Sequence, residues 1–114
     1  MFNIPKQVHN KAIVSATDNT IVLEGEIEHN DPELFIKPFF DKLLSQNYDL
    51  LIIDIKNLEY LNSSGIKCLL DFIKAKPHNA QIRLKIDIKK KWQYKSMVVI
   101  QSIDKKNISL EEIS

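Results

Sequence analysis

The chain has 114 residues, 44% of them hydrophobic and 27% charged, with a formal net charge of +1. That length is one domain, able to bury a core without staples, and the near-neutral balance gives no global case for nucleic acid. A single cysteine, Cys68, excludes an internal disulfide and fits a reducing compartment; no run reaches the length of a membrane span and MFNIPKQ lacks the apolar stretch of a signal peptide, so the cytoplasm is the expected address.

In chain order, residues 1–8 read as a flexible N-terminal tail. Lys11 to Thr17 and Thr20 to Glu24 are rich in β-branched residues and read as strands. Asp18 and Asn19 between them tolerate the left-handed conformation, so the two strands form a hairpin. Gly25 closes the second strand, and Glu26 to Pro32 is a polar loop. From Leu34 to Leu44, Phe35, Phe39 and Leu43 share a helical stripe, with Phe40 and Leu44 beside it. Pro38 fits only the first turn of a helix. The spacing therefore predicts a loose turn over 32–37 and a helix over 38–46, ended by Gln46 and Asn47.

Asp49 to Lys56 reads as the central strand, its unbroken Leu-Leu-Ile-Ile suggesting burial on both faces. A helix follows over Ser64 to Lys76, stopped before Pro77. Gln81 to Ile88 alternates, with Ile82, Leu84, Ile86 and Ile88 inward and Arg83, Lys85 and Asp87 outward. Lys91 to Ile103 is helical, with Trp92, Val99, Ile100 and Ile103 as its apolar positions; Ile108 and Leu110 form a short last strand. The whole is one α/β domain over 1–114. Its mixed sheet has four to five strands, with about three helices packed largely on one side.

The most informative segment is Tyr60 to Phe72, YLNSSGIKCLLDF. A strand runs into a short polar loop, Asn62-Ser63-Ser64-Gly65, and a helix starts at once with Ile66, Leu69, Leu70 and Ile73 at helical spacing. Two hydroxyls are thus held at a helix N-terminus, where free N–H groups and the helix dipole suit a phosphate. The plain alternative is capping, since serine is a favoured N-cap.

This strand–SSG–helix segment resembles the anti-sigma factor antagonist family (STAS domains), whose loop has the form D-S-[S/T]-G. The resemblance implies that Ser63 is the phosphoacceptor of a partner serine kinase, with Ser64 as the fallback. It also implies a phosphatase that resets the switch and a role in transcription regulation. Asn62 stands where the family has an acid. Gly25-Glu26-Ile27-Glu28 resembles the family's G-E-[L/I]-D turn, which makes Glu28 a kinase-holding acid; read alone, it is a solvated loop acid. Asn62, Ser63, Ser64, Gly65 and Glu28 are thus the expected partner-binding residues. Element order carries the resemblance over nearly the whole chain, but Lys-Lys-Lys-Trp-Gln at 89–93 replaces the usual small-residue start of the last helix.

No catalytic constellation is present. The G-x-S-x-G elbow is absent, and no acid orients His9, His29 or His78 at a recognisable spacing. Metal-ligand spacing and a glycine-rich phosphate loop are missing too, so no cofactor and no enzyme activity are expected. Cys68 reads as a packing residue. Lys89, Lys90 and Lys91 beside Trp92 and Tyr94 read first as a solvated corner and second as a patch for an acidic partner. Residues 1–62 hold ten acids and five bases, and 63–114 hold five acids and eleven bases. A phosphorylation-switched antagonist of an anti-sigma-type kinase is the leading expectation. A non-phosphorylated scaffold subunit and a small anion-binding module are the alternatives.

Overall fold

The computed structural model describes residues 2–9, 11–28, 36–44, 48–77 and 79–113. The strands are β1 (Phe2–His9), β2 (Ala12–Asp18), β3 (Thr20–Ile27), β4 (Leu50–Asp54), β5 (Leu58–Leu61), β6 (Gln81–Asp87) and β7 (Ile108–Ile113). The helices are α1 (Ile36–Leu44), α2 (Ser63–Lys74) and α3 (Lys91–Gln101).

β2 and β3 form the expected hairpin. Thr17 pairs with Thr20, and Asp18 takes φ 55° between them. β3 then runs parallel to β4, β4 to β6, and β6 to β7. The order β1-β2-β3-β4-β6-β7 steps in one direction from β3 onward. Right-handed crossovers that keep stepping one way leave their helices on one face. All three helices accordingly share a single core with that face. Ala12, Val14, Ile21, Leu23, Leu51, Ile53, Ile82 and Leu84 meet Phe39 and Leu43 of α1, Leu69 and Phe72 of α2, and Met97 and Ile100 of α3. The rings of Phe40 and Phe72 stack at 4.6 Å and join α1 to α2.

Several expectations change. Residues 2–9 are a strand, not a tail: they pair antiparallel with β2, and Ile4 packs on the core. Pro5 falls where the register shifts between Ile4 and Gln7, which an edge strand tolerates. Among the described residues the sheet has seven strands, not four to five, and β1 and the four-residue β5 are the two that pattern reading misses. α1 begins at Ile36 and not after it, so Pro38 lies in the first turn, where its missing N–H costs nothing. Residues 29–35, on which much of the expected polar loop and turn falls, with His29 and Phe35, lie outside the described residues, as do the helix end expected at Gln46-Asn47 and His78.

Burial of the central strand is one-sided. Leu51 and Ile53 are fully buried, whereas Leu50 and Ile52 are half-buried on the face that no described helix covers. Ile88 is exposed in the turn after β6, not inward. In α3 the buried residues are Gln93, Met97 and Ile100, while Val99 is exposed, as is Ile103 beyond the helix end at Gln101.

Gly25 explains how β3 serves two partners. Its φ is +83°, and a Cβ there would overlap the Lys11 carbonyl oxygen. β3 pairs with β4 over Thr20–Val22 and with β5 over Gly25–Ile27, where Gly25 faces Leu58 and Glu26 faces Tyr60, which leaves Glu59 of β5 as an extra residue. The kinked backbone is tied on both sides: the Gly25 N–H donates to the Asn57 carbonyl at 3.2 Å, and the Glu26 N–H to the Lys11 carbonyl at 3.0 Å.

Candidate functional site

β3 and β5 end side by side, with Ile27 paired to Leu61, and the Asn62 N–H donates to the Ile27 carbonyl at 3.0 Å. One step further along the two chains come Glu28 and Ser63. The structure thus brings the two stretches singled out in the sequence, 25–28 and 62–65, to one rim of the sheet.

The loop divides its tasks by residue. Asn62 is the N-cap of α2, with φ −73° and ψ 172°. Its side-chain oxygen accepts the Gly65 N–H at 2.9 Å, and its carbonyl accepts the Ile66 N–H at 3.0 Å. Asparagine caps a helix as well as aspartate does, so the cap is made without a charge. This corrects the capping role read onto the serines and the helix start read at Ser64: Ser63 is the first helical residue. Its side chain is exposed, and no described group hydrogen-bonds its hydroxyl. Ser64 follows, half-buried. Gly65 is buried because the chain needs no side chain there. A Cβ would lie 2.5 Å from Leu61 Cδ1 and 3.2 Å from Ile27 Cγ2. No acid lies in the first turn of α2, so the helix end keeps its positive character.

Glu28 is exposed and shares Lys11 with Glu26, at 3.6 Å and 3.5 Å. The two carboxylates, Glu26 first, raise the Lys11 ammonium above its ordinary pKa. β5 adds exposed Glu59 and Tyr60 just before the loop.

Sequence reading missed Gln93. It is fully buried, and its amide nitrogen donates to the Ile55 carbonyl at 2.7 Å and the Leu58 carbonyl at 2.9 Å. Its oxygen accepts the Asp87 N–H at 2.8 Å. One side chain therefore ties α3 to the β4–β5 turn and to the end of β6. Its spacing to Met97 and Ile100, four and seven residues on, marks it as a core position and was the available signal. Lys90 is similarly turned inward, reaching the Lys56 carbonyl at 2.8 Å, Asp87 at 3.2 Å and Glu59 at 3.4 Å. The Asp87 carboxyl is held below its usual pKa by the Lys89 N–H and then by Lys90. The lysine triplet is thus not one patch.

Cys68 is half-buried beside a groove of about 150 Å³ between α1 and α2, lined by Phe40, Leu44 and Phe72 among others. Among the described residues, no group of three or more His, Cys, Asp or Glu could hold a metal ion, and no helix is long and apolar enough to cross a membrane.

No protein-family model matches the chain, and no curated protein matches it. Among solved structures, it is similar to the crystal structure of an anti-sigma factor antagonist from Mycobacterium paratuberculosis. The TM-score is 0.60 over 81% of this chain and 80% of that one, at 16% sequence identity. The fold is the STAS fold that the sequence led us to expect, with more strands than the four to five anticipated.

Proposed function

We propose that this chain is a non-catalytic regulatory domain whose rim at Glu28, Asn62, Ser63, Ser64 and Gly65 docks a serine kinase of the anti-sigma type. Ser63 is the phosphoacceptor in this reading, and a phosphatase resets it. The observation that carries it is the division of labour at the loop. Asn62 does the capping, which leaves the Ser63 hydroxyl exposed at the first position of α2 with no described partner.

A phosphate there adds a charge of about −1.5 to −2 and three acceptor oxygens. The free N–H groups and dipole of α2 favour that charge, so modification leaves the fold intact and acts on docking. ATP comes with the kinase, and the chain needs no cofactor; a switch of this kind works in the cytoplasm, where ATP and regulators of transcription meet.

The test has two arms. Mass spectrometry of the chain isolated from its own cells should find phosphate on Ser63, or on Ser64 as the fallback. The partner, identified by pull-down, should bind wild type and Ser63→Ala alike. It should bind Ser63→Asp about tenfold or more weakly, because a charge is then buried without a matching cation. Equal affinities for all three, with no phosphate on either serine, would replace the switch with a non-phosphorylated scaffold.

A further inference from the structure

α3 differs from the other two helices on its outer side. α1 and α2 each pair one surface lysine with an aspartate at i,i+4, Lys37 with Asp41 and Lys67 with Asp71. α3 does not: from Ile88 to Ile103 the chain has no Asp or Glu. Lys91 and Lys95 are exposed, and neither has an ion pair among the described residues. Between and beyond them stand Tyr94 and Val99, 48% and 62% exposed, and past the helix end Ile103 at 42%. Lys91, Tyr94, Lys95 and Val99 fall at i, i+3, i+4 and i+8, which is one helix face. A surface helix ordinarily turns such apolar residues inward; here the inward positions are already taken by Gln93, Met97 and Ile100.

We infer that this face of α3 is a second docking surface, and that its occupant is a protein segment carrying carboxylates around an apolar stripe. The charge on the face sets the sign of the partner, and Tyr94, Val99 and Ile103 set its apolar part. Anionic membrane binding by such a patch takes four to eight basic residues. Lys90 is spent on Asp87, Glu59 and the Lys56 carbonyl, which leaves Lys89, Lys91 and Lys95. Nucleic-acid binding is disfavoured by the net charge of +1 and by the absence of arginine from this segment. The face is preorganised, because Gln93 fixes the start of α3 through three hydrogen bonds to β4–β5 and β6. The inference is independent of Ser63, since α3 packs over β6 and β7.

The experiment uses the full chain, isotope-labelled for amide NMR. It is titrated with a helical peptide bearing a leucine stripe flanked by glutamates, with the same peptide carrying lysines instead, and with vesicles of phosphatidylcholine and phosphatidylserine. The glutamate peptide should bind saturably, with shifts concentrated on residues 91–103. Binding should weaken about tenfold or more in Lys91→Glu/Lys95→Glu and in Val99→Glu, and stay unchanged in Ser63→Ala. The substituted positions are exposed, and circular dichroism checks that each variant is folded. Absence of saturable binding, shifts away from α3, equal binding of the lysine peptide, or preferential binding of vesicles would each overturn the proposal. So would concentration-dependent self-association through the same face, which would make a second copy the occupant.

Discussion

Asn62 and Ser63 are adjacent, yet the structure gives them opposite sensitivities to truncation. Asn62→Ala removes the acceptor of the Gly65 N–H and leaves a donor at the helix start unpaired. It should cost about 1 kcal/mol. Ser63→Ala removes an exposed hydroxyl with no described partner and should stay within about 0.5 kcal/mol of wild type. Urea denaturation of the two variants checks this, and a larger loss from Ser63→Ala would mean that the serine, not the asparagine, holds the cap. Gln93 is the harsher case. In Gln93→Leu the Leu58 carbonyl and the Asp87 N–H lose this partner together, while the Ile55 carbonyl keeps the Leu58 N–H at 2.9 Å. Each unsatisfied buried group costs about 1 kcal/mol or more, so a loss of roughly 2 kcal/mol is expected. A thermal melt of this variant close to wild type would show that water or a backbone shift replaces the glutamine.

At the scale of elements, the kink of β3 at Gly25 is the device that sets the rim. It lets one strand pair first with β4 and then with β5, and β5 delivers the chain to Asn62 beside Ile27. Gly25→Ala meets both a positive φ and the Lys11 carbonyl. It should destabilise by about 2 kcal/mol or more, beyond the entropy gain that glycine replacement can give elsewhere. The amide signals of 57–65 should move with it, which a purely local strain at Gly25 would not cause.

The elements differ in how much of this the sequence discloses. The hairpin, β4, α2 and β6 carry strong periodic patterns with local punctuation, and the structure has them within a residue or two of their expected ends, except that β3 runs through Gly25 and Glu26 to Ile27, three residues past the expected Glu24. β1 was hidden because Pro5 and the polar residues of an edge strand look like a tail. β5 was hidden because four residues, LEYL, are too few for a period. The α3 pattern misled in a different way. Apolar residues occur on both its faces, so the sequence could not tell Val99 from Met97; only the sheet beneath decides which is inward. For the site, Ser63, Ser64 and Gly65 were legible from the loop's place between strand and helix. The capping by Asn62 was not, because whether the cap falls on the asparagine or the serine turns on one backbone torsion.

At the scale of the molecule, the described residues give the sheet a covered face and an open one. Parallel sheets ordinarily carry helices on both sides. Here the one-way strand order places α1, α2 and α3 together, and the opposite face carries Ile13, Val22, Leu50 and Ile52 half-buried, with Arg83, Lys85 and Glu111 toward the β7 edge. Neighbouring residues of β4 therefore sit in different solvents. Ile53 is fully buried under the helices, while Ile52, one residue away, is half-buried on the open side. The same substitution at the two positions separates the faces. Ile53→Thr takes methyl groups out of the core and puts in a hydroxyl without a partner, and should cost about 3 kcal/mol. Ile52→Thr keeps the β-branched shape that strands favour, loses only partial burial, and should cost less than about 1 kcal/mol. Denaturant midpoints, at an unchanged slope, measure both. If Ile52→Thr proved as costly as Ile53→Thr, the open face would have to be covered in solution, as the two faces of a wholly parallel sheet are.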